Sequence, residues 1–167
     1  LKDEGREMLY FPLQNYVGGD FEVLREMLAA ECTVLSLSDG GAHCGLICDA
    51  STPSYLLTHW VRDRSRGPRL DLEQIVKYQA RDTALSYGLA DRGLIKAGFK
   101  ADANVIDLNN MRLHPPHMVN DLPANGRRLM QTADGYLATV IAGATSWRNG
   151  EATGAMPGKL IRGPQSV

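Results

Sequence analysis

The chain has 167 residues, 44% hydrophobic and 22% charged, with 18 basic residues against 19 acidic ones and a net charge of −1. This is the balance of a soluble globular protein, and it implies neither a nucleic-acid surface nor a membrane surface. No apolar run has membrane-spanning length, and no signal or transit segment, internal repeat or low-complexity tract is visible.

The N-terminal stretch is charged and helix-like from Lys2 to Glu7. Asp20 then stands where it can cap a helix running to about Ala30, with Val23, Leu24, Met27 and Leu28 as one apolar stripe. Next comes Cys32-Thr33-Val34-Leu35-Ser36-Leu37, short and almost wholly apolar or β-branched. It is expected to be a strand buried on both faces. It ends abruptly in Ser38-Asp39-Gly40-Gly41, so it delivers a carboxylate to its C-terminal end. In parallel α/β architectures that end gathers catalytic residues, and paired glycines let a ligand approach the backbone closely. An ordinary Asp-Gly turn would leave the same pattern.

Residues 40 to 51 are a loop rich in Gly, Ala, Cys and Ser. A second helix is expected from Thr52 as N-cap and Pro53 at the first helical position, lined by Leu56, Leu57 and Trp60. A third starts at Asp71, with Gln74 placed as in a capping box. Leu72, Ile75, Val76, Ala80, Thr83, Ala84 and Tyr87 keep its period, and Gly88 is a ready C-cap. The order helix, strand, helix, helix reads as α/β.

After Gly98 the chain changes character. Ala101–Asp107, Arg128–Gln131, Tyr136–Thr145 and Lys159–Arg162 are short β-like runs among many prolines and glycines. Asn149-Gly150 is a strong hairpin signal between Thr145–Trp147 and Glu151–Thr153.

Cys32, Cys44 and Cys48 are an odd number of thiols, which argues against a disulfide framework and for a reducing cytoplasm. Cys44 and Cys48 lack the spacing of a zinc or redox pair, so buried small apolar positions are expected for the three.

Two motifs carry a resemblance. The first is Ser38-Asp39-Gly40-Gly41-Ala42-His43; the second runs from Gly88-Leu89-Ala90-Asp91-Arg92-Gly93 through Gly98 and Ala101-Asp102 to Val105 and Asp107. Together they resemble the C-terminal part of the amidohydrolase superfamily. The ending, Val140 to Gly163, with Asn149-Gly150 and Gly154-Ala155-Met156-Pro157-Gly158-Lys159, resembles the D-aminoacylase (N-acyl-D-amino-acid deacylase) branch. Tyr10-Phe11-Pro12 and Asn15-Tyr16 fit that branch too.

The resemblance implies an α/β fold: the C-terminal part of a (β/α)8 metal-dependent hydrolase barrel over residues 1–98, then part of a small β-sandwich domain over 99–167. Thr33–Leu37 would be the eighth barrel strand. Asp39 would be both a metal ligand and the catalytic base that takes a proton from the attacking water and returns it to the leaving amine. Ser38, Gly40, Gly41 and His43 would shape the substrate pocket, with a solvated or loop-packing role as the alternative for His43. The implied cofactor is zinc, one or two ions in the complete enzyme and none in this chain alone. The implied partners are a small-molecule amide, the remaining N-terminal part of the enzyme and a second copy in a homo-oligomer.

Other ligands of such a site include a His-x-His pair, which this chain lacks; its histidines are His43, His59, His114 and His117. His59 beside Trp60 reads as packing, and the His114–His117 segment, held extended by Pro115 and Pro116, has no third ligand near it in sequence. A whole barrel needs roughly 250 residues, so a C-terminal piece of a longer enzyme is expected. In the deacylase branch an arginine shortly after the aspartate holds the substrate carboxylate. Here no arginine precedes Arg62 in that stretch. Carboxylate recognition by that route is thus not expected, and a subgroup with another acyl-amino-acid or amide substrate fits the stretch. Separately, a cyclic-amide hydrolase of the dihydropyrimidinase or dihydroorotase kind, or a non-catalytic module reusing the fold, stands as the alternative.

Overall fold

The computed structural model describes residues 15, 16, 18–35 and 41–167. They fall into two compact units, 1–33 and 34–167. The change from helices to strands near residue 98 lies inside the second.

The first unit holds α1 (Glu22–Ala29). Phe21 takes the cap position, and Asp20, expected there, stands one residue before it, where its carboxylate accepts the Glu22 N–H at 2.9 Å. Of the anticipated stripe, Leu24 and Leu28 are half-buried while Val23 and Met27 are exposed. Thr33 closes the unit, its hydroxyl donating to the carbonyls of Met27 and Ala30 at 2.9 and 2.7 Å.

Residues 32–35 stand in no ladder, and Ser36 and Leu37 of the expected strand lie outside the described residues. Among the described residues there is no parallel ladder of barrel type; the parallel pairing present is an isolated bridge between Leu89 and Gln165.

In the second unit a 3-10 turn, Asp49–Ser51, leads into α2 (Thr52–Tyr55). Thr52 sits one residue inside the helix rather than at its cap, and its hydroxyl donates back to the Asp49 carbonyl at 2.7 Å. The helix widens into π-type turns over Leu56–Asp63 and ends with Arg64 N–H on the His59 carbonyl. Then α3 (Leu72–Lys77), a π-type segment Tyr78–Asp82 and α4 (Thr83–Ser86) follow without a break. The capping box does not form. Gln74 donates to the Tyr78 hydroxyl at 2.8 Å instead, because one helical turn ahead lies a better-placed partner than the cap behind. The end at Gly88 does form. Its N–H bonds the Leu85 carbonyl and Leu89 N–H bonds that of Ala84, a Schellman closure with Gly88 at φ +71°.

The core gathers where these helices meet. Trp60, Ile75 and Met111 are almost wholly buried, with Leu56, Leu57, Leu70 and Tyr78 around them. Gln79 donates to the Pro53 carbonyl at 3.0 Å, and Ser54 and Tyr136 share a hydroxyl hydrogen bond of 2.7 Å that ties α2 to the β-region.

The β-region has two parts. β1 (Ala103–Ile106), β6 (Tyr136–Ile141), β7 (Ala144–Arg148) and β8 (Glu151–Ala152) make an antiparallel sheet in the order β1-β6-β7-β8. The expected hairpin is present, with Asn149 and Gly150 at φ +49° and +83° joining Arg148 to Glu151. The run read as one strand from Tyr136 to Thr145 is two. Ala142 and Gly143, at φ +49° and +80°, make a second tight turn, and Asp102 holds it by accepting the Ala142 N–H at 2.7 Å.

The second part is a ribbon made of two short antiparallel ladders. β2 (Arg112–Leu113) pairs with β5 (Ala133–Asp134), and β3 (His117–Leu122) pairs with β4 (Gly126–Met130). Residues 159–162 are not a strand. Leu160 is exposed, and flanking glycines and prolines leave the segment no partner to ladder with.

Candidate functional site

Ser38, Asp39 and Gly40 lie outside the described residues. The described residues that flank them in sequence are Leu35 and Gly41. Upstream, Leu35 is buried and its carbonyl accepts the Thr83 hydroxyl at 3.0 Å, which ties Leu35 to α4. Downstream, Gly41 at φ +97° opens a loop whose residues 41–46 are exposed. His43, itself at φ +45°, holds the turn through its backbone: its carbonyl accepts Leu46 N–H at 2.7 Å and Ile47 N–H at 3.2 Å. Its imidazole is exposed.

This loop is pinned to the ribbon. Leu129 of β4 donates its N–H to the Cys44 carbonyl at 2.6 Å, so Cys44 meets the edge of β4 that faces away from β3. Further along, the Cys48 thiol lies 4.0 Å from the Gln131 Oε1. Between them a Cβ built on Gly45 would stand 3.9 Å from the Arg127 Nε. The sequence carries no sign of this docking, since 83 residues separate Cys48 from Gln131.

The thiols correct an expectation. Cys32 and Cys44 are exposed and Cys48 is half-buried, so they are not buried apolar fillers. Cys48 alone is partly enclosed, and burial pushes its pKa up, with Asp49 adding to the effect. Cys44 turns its thiol to the Gly41 carbonyl at 3.3 Å.

His59 packs as the sequence suggested. It stacks on Tyr55 at 4.9 Å and meets Trp60 edge-on at 5.2 Å. Burial lowers its pKa, and the nearby Arg64 lowers it further. His114 pairs with Asp134 at 2.9 Å, and Arg112 reaches the same carboxylate at 3.1 Å. The Asp134 pKa is depressed by His114 first and Arg112 second. His117 is exposed. Among the described residues no three His, Cys, Asp or Glu side chains come together to hold a metal ion. They therefore do not make a metal centre by themselves.

The Gly88–Asp107 motif is a junction rather than a reaction centre. Ala90 N–H donates to the Gln165 carbonyl and Gln165 N–H to that of Gly88, so the C-terminal segment is laced to the helix end. Asp91 is buried and pairs with Arg92 at 2.9 Å, which keeps its carboxyl below the usual carboxylate range. Arg92 also faces Asp102 at 3.9 Å. Arg81 reaches across from the helix, donating to the carbonyls of Ala90 and Arg92 at 3.0 Å each and lying over the Phe99 ring. Arginine suits this position because its planar fork of donors satisfies carbonyls that the turn leaves unpaired. Asp107 ends the motif by accepting from Asn110, whose side chain and backbone hold its pKa down.

Comparison with known proteins matches the sequence profile described as "Amidohydrolase family" to residues 12–146. None of the curated proteins matches, and none of the solved structures does. The matched span includes the Ser38–His43 segment, the core helices, the junction motif and the ribbon.

Proposed function

This chain belongs to the Amidohydrolase family, and from that membership we propose that it is the C-terminal portion of a metal-dependent hydrolase that cleaves the amide of N-acyl-D-amino acids. The observation that supports this most is the match over residues 12–146, which contains Asp39 between an anchored Leu35 and a glycine-opened loop. The family implies a (β/α)8 barrel, and residues 1–98 are its last part in this reading. Residues 99–167 belong to the small β-domain.

Asp39 is the general base of this proposal. A carboxylate there takes the proton of the attacking water and returns it to the leaving amine, a role worth a factor of roughly 100 to 10,000. Ser38, Gly40, Gly41 and His43 shape the pocket around it. Zinc is the cofactor the proposal calls for. Among the described residues no three ligating side chains come together, so in this proposal the site is completed by residues beyond them. The proposal also includes a homo-oligomer and a cytoplasmic location. Among the described residues no helix is long and apolar enough to cross a membrane.

One observation favours a second reading. The stretch 42–61 contains no arginine for a substrate carboxylate, which suits a neutral cyclic amide. The deciding experiment is kcat/KM of the complete, metal-loaded enzyme for matched N-acetyl-D- and N-acetyl-L-amino acids beside hydantoin and dihydropyrimidine. Preference for the D-enantiomers supports the deacylase reading. Faster turnover of the cyclic amides replaces it with the second, and turnover of none of them leaves a non-catalytic module.

A further inference from the structure

We propose that Asn149, on the β7–β8 hairpin, is a site of spontaneous deamidation, and that the fold selects it over Asn125. Both asparagines are exposed, and both sit at positive φ, +49° for Asn149 and +59° for Asn125. Both precede a glycine, whose missing side chain leaves the following backbone nitrogen open to approach. Residue type, exposure and backbone region therefore do not separate them.

The nitrogen that must react does. In deamidation the backbone nitrogen of the next residue gives up its proton to solvent base and attacks the side-chain amide carbon. The new C–N bond closes a cyclic imide, and the side-chain nitrogen leaves as ammonia, carrying a proton from water. Water then opens the imide at one carbonyl or the other, giving aspartate or isoaspartate. Water is the only reactant consumed, and no oxidation is involved.

At Asn125 the reacting nitrogen is occupied. Gly126 N–H donates to the Pro123 carbonyl, which holds its proton and fixes its direction. The surroundings are close as well: a Cβ on Gly126 would stand 3.2 Å from both the Leu122 Cβ and the Pro123 carbonyl oxygen. At Asn149 neither restraint exists. Gly150 is exposed, its N–H donates to no acceptor among the described residues, and a Cβ there would meet nothing within 4 Å. Ring closure at Asn149 proceeds from the folded state, whereas at Asn125 a hydrogen bond must open first. A hydrogen bond of ordinary net strength slows a reaction that has to break it by about two- to tenfold. The product bears on the sheet. Asn149 N–H donates to the Leu137 carbonyl at 3.0 Å and so ties the hairpin to β6. Isoaspartate would lengthen the backbone at that residue by a methylene and set a new carboxylate two residues before Glu151.

The test incubates the folded protein at mildly alkaline pH in heavy-oxygen water, quenches samples in acid and digests them with pepsin. Mass spectrometry then follows the peptides that contain each asparagine, the heavy oxygen marking every converted residue. Conversion at Asn149 should run about two- to tenfold faster than at Asn125. In urea, where neither glycine keeps its folded contacts, the two rates should converge. Gly150→Ala should slow conversion at Asn149, because the added Cβ crowds the approach to the nitrogen. Asn125 should be unchanged in that variant, which shows that the fold is retained. Equal rates in the folded protein, faster conversion at Asn125, or a ratio that urea leaves unchanged would overturn the inference. An undiminished rate at Asn149 in Gly150→Ala would overturn it too, because the reaction would then not pass through the Gly150 nitrogen.

Discussion

Gly93 and Gly150 share a backbone angle of φ +83°, yet only one of them should be indispensable. At Gly150, on the tip of the β7–β8 hairpin, an added Cβ meets nothing within 4 Å. Alanine there carries only the cost of a left-handed backbone, about 1–2 kcal/mol. At Gly93 the same Cβ would stand 2.8 Å from both the Ala80 carbonyl oxygen and the Arg81 Cα. Those are backbone atoms of a helix whose Arg81 clamps the carbonyls of Ala90 and Arg92, so the clash has no flexible side chain to yield. Forced repacking adds about 1–3 kcal/mol, for a total near 2–5 kcal/mol in Gly93→Ala. Urea unfolding followed by tryptophan fluorescence measures the difference. With an m-value of about 1–3 kcal/mol/M, the Gly93→Ala midpoint should lie roughly 1 M below that of Gly150→Ala. Equal midpoints for the two variants would refute the claim that the junction motif is a close-packed structural device.

Two further outcomes follow from the same structure. Trp60, 2% exposed beneath Arg64 and beside His59, should cost about 3–5 kcal/mol on replacement by alanine; a loss under about 1 kcal/mol would mean that the core is elsewhere. Acid should destabilise the protein in two stages. The folded-state pKa of His59 is lowered, so its contribution is present above the unfolded value near 6.5 and is lost as pH falls through the lower folded one. Asp91, Asp121 and Asp134 are also lowered, so theirs begins to fade only near the unfolded value of about 4. Urea midpoints against pH should show the first stage abolished in His59→Gln and the second reduced in Asp91→Asn. A single stage unaffected by either substitution would contradict these assignments.

Local signals in the sequence locate what local chemistry decides. Asp20, Gly88 and Asn149-Gly150 each act within two to five residues of themselves, and each does what its residue type requires. One strand of the ribbon is legible as the run Arg128–Gln131; its partner is hidden because His117–Leu122 carries Asn120 and Asp121 and alternates poorly, both faces being partly exposed. The turn at Ala142-Gly143 is hidden because alanine in a left-handed turn gives no composition signal. Gln74 departs from its expected role because a tyrosine hydroxyl four residues on competes with the cap. The candidate site divides in the same way. Asp39 and its glycines are legible as a motif. The docking of the loop on β4 emerges only when a hairpin more than 80 residues downstream is seen to bond the Cys44 carbonyl.

The central claim is that Asp39 is the base of an amidohydrolase. The direct measurement is kcat of the complete enzyme and of its Asp39→Asn variant on N-acetyl-D-methionine, with metal content and urea midpoint determined on the same samples. Asparagine preserves size but cannot accept the proton at neutral pH. If Asp39 is the base, kcat falls roughly 100- to 10,000-fold with the unfolding midpoint unchanged. Retention of more than about a tenth of the wild-type kcat, in a variant that keeps its metal, would contradict it.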